Sequence, residues 1–453
     1  MAYTEMELTE IKLALIAGHA KREPDMQFTS LTHLLNADFL KQCFYSLDRN
    51  KAVGLDNVSW REYETNLDEN LDNLVNRLKR KKFKPVPARR VYIPKADGGQ
   101  RPLGISTIEN KIVEKGVTTI LQSIYEQDFM DFSYGFRPRR NCHQVLKELH
   151  DQIYRNQINH VVEANIKGFF DNVSHELLMK FLRNRIKDSS MLHLIEKFLK
   201  AGYVNNDLLV ISETGTPQGS ILSPLLANVF LHYVLDEWFE NTVKPAIRGY
   251  CAIVRYADDF VCVVRYVDDA EKIERALQNR LNKYELELHP EKSRRISFGR
   301  FELENSQKQG RSANTFDFLG FTHFCTKTRK GTFKPGRKTS RKKFNRKCKE
   351  MTDWLKGIRN LKKLKEWWDT LKAKLRGHYQ YYGVSENMHG LKAYYAHTIR
   401  MLYRWLNKRS QRKSMNWQGF KNYLICYPLP LPKITHNFYT LSSDLGGKLK
   451  SRM

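Results

Sequence analysis

The sequence predicts an α+β fold, a mixed body of strands and helices followed by an all-α basic module. Three features lead there. Short apolar runs bounded by Gly, Pro, Asn and Asp recur between Ala88 and Phe324, the pattern of strands between turns. Segments with apolar residues every three or four positions, as on one face of a helix, are interleaved with them. From Lys327 to Lys413 the helical spacing continues alone, and 27 Lys and Arg stand against 5 Asp and Glu, +22 of the chain's net +28.

Taken in order, residues 1–30 are polar and helix-compatible, and 31–80 carry helical patterns interrupted by the turn-rich Asn50–Asp56. Ala88–Ile105 reads as a hairpin turning at Asp97-Gly98-Gly99. Ile112, Val113, Val117, Ile120, Leu121 and Ile124 mark a helix over Glu109–Tyr125. A short strand follows over His160–Phe170, then an amphipathic helix from Ser174. Residues 214–238 open on a Gly/Pro turn and continue as a long apolar helix. Residues 251–264 read as strand, turn, strand, and a helix runs from Ala270 to about Tyr284. The polar residues 301–315 read as an exposed linker before a strand pair at Phe316–Phe324. Beyond Lys327, Leu361, Leu364, Trp368, Leu371 and Leu375 give a helical stripe with the lysines outside.

Composition excludes several classes. At 41% apolar the chain is too hydrophobic for disorder, yet no apolar run approaches the ~20 residues of a membrane helix. The opening MAYTEMELTE lacks a signal-peptide profile, so a cytoplasmic protein without membrane association is expected. Seven scattered cysteines with no CxxC pair suggest reduced thiols rather than disulfides or zinc. The charge implies a polyanionic partner, most often nucleic acid.

Asp258-Asp259 is the strongest chemical signal. Adjacent carboxylates repel unless a cation neutralises them, and paired Mg²⁺ ions clamp the oxygens of phosphoryl transfer. The sequence contains its own control, because Arg265–Asp269 nearly copies Arg255–Asp259. The second copy leads into an amphipathic helix, so its aspartates suit a helix start. The first lies between Ala252-Ile253-Val254 and Phe260–Val264, two buried strands, and is read as the metal-binding pair.

Tyr256-Ala257-Asp258-Asp259 at a hairpin tip resembles the palm motif of reverse transcriptases, specifically the group II intron-encoded type without an endonuclease domain. The likeness extends over almost the whole chain: Ala88–Pro102, Ser133–Pro138, Gly168-Phe169-Phe170-Asp171, Thr216-Pro217-Gln218-Gly219, Leu288–Lys292, Phe316–Phe321 and Gly377–Asn387. Singly these are weak; in this order they are specific. The resemblance implies a right-hand polymerase fold. Residues 1–30 would be an N-terminal extension, 31–300 fingers and palm, and 301–326 a linker and the end of the palm. A thumb or maturase module would cover 327–413, and a short nucleic-acid-binding segment 414–453.

The resemblance also assigns residues. Asp258, Asp259 and the residue at 165 would be catalytic ligands of two Mg²⁺ ions, but Asn165 stands where Asp is expected. An amide lacks the charge that holds the second ion, so the site should be weakened. The lost ligand should cost about 3–5 kcal/mol in the barrier. Asp171, six residues on, reads instead as a cap for the following helix. Lys95 and Arg101 would grip the incoming dNTP, Phe170 would exclude a ribose 2′-hydroxyl, Gln218 would line the nucleotide pocket, and Lys292 would face the leaving pyrophosphate. Arg341, Lys342, Lys343, Arg346, Lys347, Lys372, Lys374 and Arg376 are the candidate RNA contacts. The interleaved aromatic residues read mainly as packing core.

The implied partners are a group II intron RNA, a DNA primer at the target and dNTPs, in a bacterial cytoplasm or nucleoid, with a homodimer left open. No Cys pair or His-Asn-His signature follows residue 413, so second-strand cleavage is not expected. Asn165 leaves three readings. The chain is a polymerase impaired by a natural or deliberate change, a maturase acting only as an RNA-binding splicing cofactor, or a domesticated enzyme in defence or repair. The intact remaining motifs favour a single recent or engineered change, and the Gly377–Asn387 run argues against domestication.

Overall fold

A computed structural model of the 453-residue chain describes residues 5–94, 99–211, 213–361, 363–408 and 415–439. The strands are β1 (Ala88–Pro94), β2 (Gln100–Ile105), β3 (His160–Asn165), β4 (Tyr203–Asn205), β5 (Leu208–Val210), β6 (Cys251–Tyr256), β7 (Asp259–Val264), β8 (Arg294–Ser297), β9 (Thr315–Phe318), β10 (Phe321–Lys327) and β11 (Phe333–Thr339). They form sheets of order β2-β1-β4-β5, β6-β7-β3-β8 and β11-β10-β9. Residues 1–141, 162–262 and 268–294 make up one unit, and residues 142–161, 263–267 and 295–453 a second.

The helix Ile108–Asp128 carries the core of the first unit. Thr107 caps it by accepting from the Asn110 amide, and the six apolar residues that mark its face are all fully buried. At roughly 1.5–3 kcal/mol for each large side chain removed from water, that stripe explains why the helix is central. The helices Glu5–Arg22 and Ala37–Tyr45 pack against it. β1 and β2 pair antiparallel from Arg89↔Ile105 to Pro94↔Gln100, while β4 runs parallel to β1. Asp97 and Gly98 of the expected turn lie outside the described residues, as does Lys95.

Several local expectations are corrected. The apolar helix after the Gly/Pro turn is α-helical only over Ser223–Leu231, then widens into π-helical turns at His232–Asp236 and Phe239–Val243. Asp171 does not cap the helix His175–Arg185, because Ser174 does so by accepting from the Leu177 amide. Asp171 lies instead inside the short helix Phe169–Asn172. Residues 301–315 are not simply an exposed linker. Glu302–Lys308 is helical, and the buried Glu302 carboxylate accepts from Arg311 and the Asn314 amide, folding the segment onto itself.

In the second unit, β11 falls in a stretch read as helical and pairs with β10 along its whole length, Phe321↔Thr339 to Lys327↔Phe333. Basic helices begin only at Arg341, with Arg341–Ile358, Leu364–Tyr382 and Met388–Leu406. Leu361 is 78% exposed between the first two of these, and the buried stripe is Trp367, Trp368, Leu371 and Leu375. The chain from Pro430 to Phe438 packs on the Gly377–Asn387 run. Tyr379 donates its hydroxyl to the Pro430 carbonyl, and the Thr435 and His436 amides both donate to the Gly383 carbonyl. Among the described residues no helix is long and apolar enough to cross a membrane.

Candidate metal centre and nucleotide pocket

β6 and β7 are almost wholly apolar and buried, so the residues joining them are the tip of a rigid hairpin. Ala257 adopts a left-handed φ of 56° there. The Ser133–Gly135 run lies beside β6, with the Tyr134 amide donating to the Arg255 carbonyl and the Arg255 amide to Phe132. A Cβ on Gly135 would collide with the Ala257 backbone, so only glycine permits this approach.

Beneath the tip, the Arg255 side chain is fully buried and every guanidinium nitrogen is used. Nε and Nη2 donate to the equally buried Asp236 carboxylate, Nη1 to Asn228 Oδ1 (3.2 Å) and to the Ala257 carbonyl (3.1 Å), and Nη2 also to Ser133 Oγ (2.7 Å). Asn228 in turn donates to the Gly135 carbonyl at 2.7 Å. Asp236 ends the first π-helical turn, a local widening often found where a side chain is re-aimed at a functional site. The ion pair therefore holds the carbonyl immediately before Asp258.

At the tip, Asn165 closes β3 and its side-chain amide donates to Asp259 Oδ1. The backbone of Asn165 is held by the Leu288–Ser293 segment, through the His289 amide at 2.7 Å and the Ser293 hydroxyl. Burial, reinforced by Asp259, pushes the Asp258 carboxyl up to about 6, while Lys292 and Arg101 pull it back. The structure thus brings Asp258, Asp259, Asn165, Lys292 and Arg101 into one electrostatic neighbourhood. A buried carboxylate pair with a raised pKa is one that a cation would relieve, which fits a metal at Asp258 and Asp259. Asn165 fits less well, because it presents a donor to Asp259 and not a charge. Among the described residues no group of three His, Cys, Asp or Glu side chains is placed to hold a metal ion.

A cavity of about 270 Å³ lies between β1, β2 and the Gly215–Gln218 turn, lined by Arg90, Gly104, Phe170, Asp171, Tyr203 and Gln218 among others. Its walls are bolted together by backbone. The Thr216 amide donates to the Phe170 carbonyl (2.7 Å), Gly215 to Val173 (2.8 Å), and Gly104 of β2 to the Gln218 carbonyl (2.6 Å). Gly219 has φ 114° and abuts the Gly104 carbonyl, where any Cβ would clash. Gln218 Nε2 donates to both oxygens of Asp171 at 3.2 and 3.3 Å. Phe170 stands edge-on to Phe136 and Phe169.

The candidate RNA contacts lie on two helices of the second unit. Arg341 and Lys342 are exposed, Lys343, Arg346 and Lys347 half-buried. Arg346 and Lys347 pair with Glu350 at 3.3 and 2.8 Å, and Lys372 with Asp369 at 3.2 Å. Lys374 lies over the Trp354 ring at 4.9 Å, and Arg376 is exposed. Trp367, Trp368, Tyr379, Tyr382 and Tyr394 are buried, which makes them packing core.

The reverse transcriptase (RNA-dependent DNA polymerase) profile matches residues 93–323, about half of the chain. This chain belongs to the reverse transcriptase family. It is similar to the group II intron-encoded protein LtrA of Lactococcus lactis subsp. cremoris, 39% identical over 229 residues, 50% of this chain and 38% of that one. It is 35% identical over 244 residues to protein YkfC of Escherichia coli strain K12, 47% of this chain and 63% of that one. A 91 kDa protein in a cob intron of Schizosaccharomyces pombe is 36% identical over 208 residues, 46% of this chain and 25% of that one. The chain thus spans less than two thirds of the length of these relatives.

In this member of the reverse transcriptase family, the support beneath the hairpin that carries Asp258 and Asp259 is the part sequence reasoning missed. Arg255 reads as a mere flank of Tyr256, and Asp236 and Asn228 as polar positions in an apolar helix. One signal was available, an arginine inside an otherwise apolar strand, since a buried charge requires a partner.

Proposed function

We propose that this chain acts as a group II intron-encoded reverse transcriptase and maturase. It binds its intron RNA, assists splicing by stabilising the folded ribozyme, and extends a DNA primer with dNTPs on the RNA template in a bacterial cytoplasm. The observation that carries this reading is the convergence of Asp258, Asp259, Lys292 and Arg101 at a braced hairpin tip, with a cavity lined by Phe170 and Gln218 supporting it. Asp258 and Asp259 would hold Mg²⁺, which when bound neutralises charge developing on the phosphoryl oxygens. Arg101 and Lys292 meet the triphosphate, Gln218 orients the base and sugar, and Phe170 narrows the pocket at the 2′ position. The basic helices grip RNA through phosphates and 2′-hydroxyls.

One observation favours a second reading. The Asn165 amide donates to Asp259, occupying an oxygen that a metal would use. The chain would then be a splicing cofactor whose polymerisation is slowed several-hundredfold or more, the equivalent of about 3–5 kcal/mol. Primer extension on an RNA template with Mg²⁺ or Mn²⁺, comparing the chain with Asn165→Asp, tests both. Activity restored by the substitution supports the impaired-polymerase reading. A silent variant that still stimulates intron splicing leaves the cofactor alone, and equal activity in both proteins removes any role for Asn165.

A further inference from the structure

Glu114 is a carboxylate that the proposed chemistry does not use. It lies on the inner face of the helix Ile108–Asp128, only 3% exposed, among Ile112, Val113 and Val117. An unpaired acid there is costly to bury, so its partners matter. Glu114 Oε2 accepts from the Ile221 amide at 2.7 Å and Oε1 from the Ser106 hydroxyl at 3.2 Å, and the Ser220 hydroxyl adds a third hydrogen bond. Ser106 follows directly on β2, and Ser220 and Ile221 directly on the Pro217-Gln218-Gly219 turn. The same turn meets β2 again where the Gly104 amide donates to the Gln218 carbonyl at 2.6 Å.

We propose that Glu114 is a positioning residue for the nucleotide pocket: its carboxylate ties the turn carrying Gln218 to the strand carrying Arg101. The proposal rests on the reading of that pocket as the dNTP site. Burial pushes the Glu114 carboxyl up to about 7, against the opposing pull of Ile221, Ser220, Ser106 and Lys111. Lys111, on its own helix, lowers it as well, and the turn and strand end that face it, at Ile221, Ser220 and Ser106, contribute an amide and hydroxyls. Protonation near neutrality turns one acceptor oxygen into a donor, and the tie to a hydroxyl or to Ile221 is weakened.

Hydrogen–deuterium exchange on the full chain between pH 6 and 8.5 tests this without requiring catalysis. After correction for intrinsic exchange, protection at residues 220–222 should fall about ten- to a hundredfold as pH drops from 8 to 6, the size of one lost charge-assisted hydrogen bond. Peptides from Val267–Lys283 should not follow it. Glu114→Gln, which keeps the shape and an acceptor for Ile221, should abolish the pH dependence while remaining folded. An unchanged pH profile in Glu114→Gln, or protection at 220–222 that is flat in the parent, overturns the proposal. Single-nucleotide extension in an Asn165→Asp background separates this from the pocket reading. There Glu114→Ala should raise KM for dNTP more than it lowers kcat, with Glu114→Gln recovering KM at pH 8. If no background extends a primer while the exchange result holds, the dNTP reading fails and the tie itself stands. If extension proceeds with KM indifferent to Glu114, the positioning role fails.

Discussion

Replacing Asn165 by Asp should make the protein's stability depend on divalent metal. In the parent the Asn165 amide donates to Asp259, and Asp258 is already raised to about 6 by burial and by Asp259. The substitution exchanges that donor for a third carboxylate in contact with Asp259. Two like charges about 4 Å apart at an effective dielectric near 20 repel by about 4 kcal/mol. The site can avoid part of this by binding a proton. Holding a carboxyl of ordinary pKa near 3.9 protonated at pH 7 costs about 1.4 kcal/mol per unit over about three units, again about 4 kcal/mol. Both routes give the same ceiling, so metal-free Asn165→Asp should be about 2–4 kcal/mol less stable than the parent. Mg²⁺ at a hundred times its dissociation constant returns about 2.7 kcal/mol and should close most of the gap. Urea unfolding in chelator and in millimolar Mg²⁺, with both proteins followed in parallel, measures it. A variant as stable as the parent in chelator, or a gap that Mg²⁺ leaves unchanged, would refute the assignment of Asn165 to a metal-binding carboxylate site.

Other outcomes follow from the same structure. Asp236→Ala leaves Arg255 charged in a fully buried site and should cost about 3–5 kcal/mol in urea unfolding, a loss under about 1 kcal/mol showing that the hairpin is held otherwise. The Glu114 carboxyl sits at about 7 in the folded protein against 4.5 ordinarily. For global unfolding, which returns it to water, its contribution is full below 4.5 and is lost as pH rises through 7, opposite in sign to the local opening at 220–222, which breaks its hydrogen bonds and leaves it buried. Between pH 4.5 and 8 the parent should therefore lose about 3 kcal/mol that Glu114→Gln keeps, measurable as diverging urea midpoints. Phe170→Ala should relax discrimination against NTPs by roughly 10- to 200-fold, read in an Asn165→Asp background as a ratio of kcat/KM. Removing Arg341, Lys342 and Lys343 together should lower the slope of log affinity for RNA against log salt by about 2, and an unchanged slope would place the RNA elsewhere.

What the sequence disclosed depended on whether the cause was local. The hairpin bearing Asp258 and Asp259 was legible because two apolar strands flanking two adjacent acids have few other uses. The near-copy at Asp268-Asp269 was distinguishable because it runs straight into a helix. In the structure that pair lies in the first turn of Val267–Lys283, with Asp269 accepting from the Gly249 amide. The Arg255–Asp236 pair was illegible because its partners lie nineteen residues apart and meet only through a π-helical turn, which leaves no periodic trace. β11 was hidden by its own composition: Phe333-Lys334-Pro335-Gly336-Arg337-Lys338-Thr339 is basic and lacks strand alternation, so it reads as part of the basic helical stretch after Lys327. It is a strand because Arg337 is buried, with Nη2 hydrogen-bonded to His150 Nδ1 at 2.6 Å and its guanidinium 4.6 Å over the Phe438 ring. Glu114 was passed over for the opposite reason, since an acid in a helix ordinarily marks the solvent face.

These cases share a physical feature that bears on how the molecule accommodates Asn at position 165. Arg255 with Asp236 and Glu114 with its amide and hydroxyl donors are buried polar groups satisfied by residues outside the metal centre. Their geometry does not require a third carboxylate, and the Asn165 amide gives Asp259 the hydrogen bond that a cation would otherwise make unnecessary. Exchanging Asp for Asn there removes charge repulsion while keeping the shape, so the fold has no stability reason to restore the acid. The excess of +22 between Lys327 and Lys413 is set by side chains with no part in that balance. On the proposed reading, a chain of this design would lose polymerisation with one amide and would retain both a stable palm and the basic helices proposed to grip RNA.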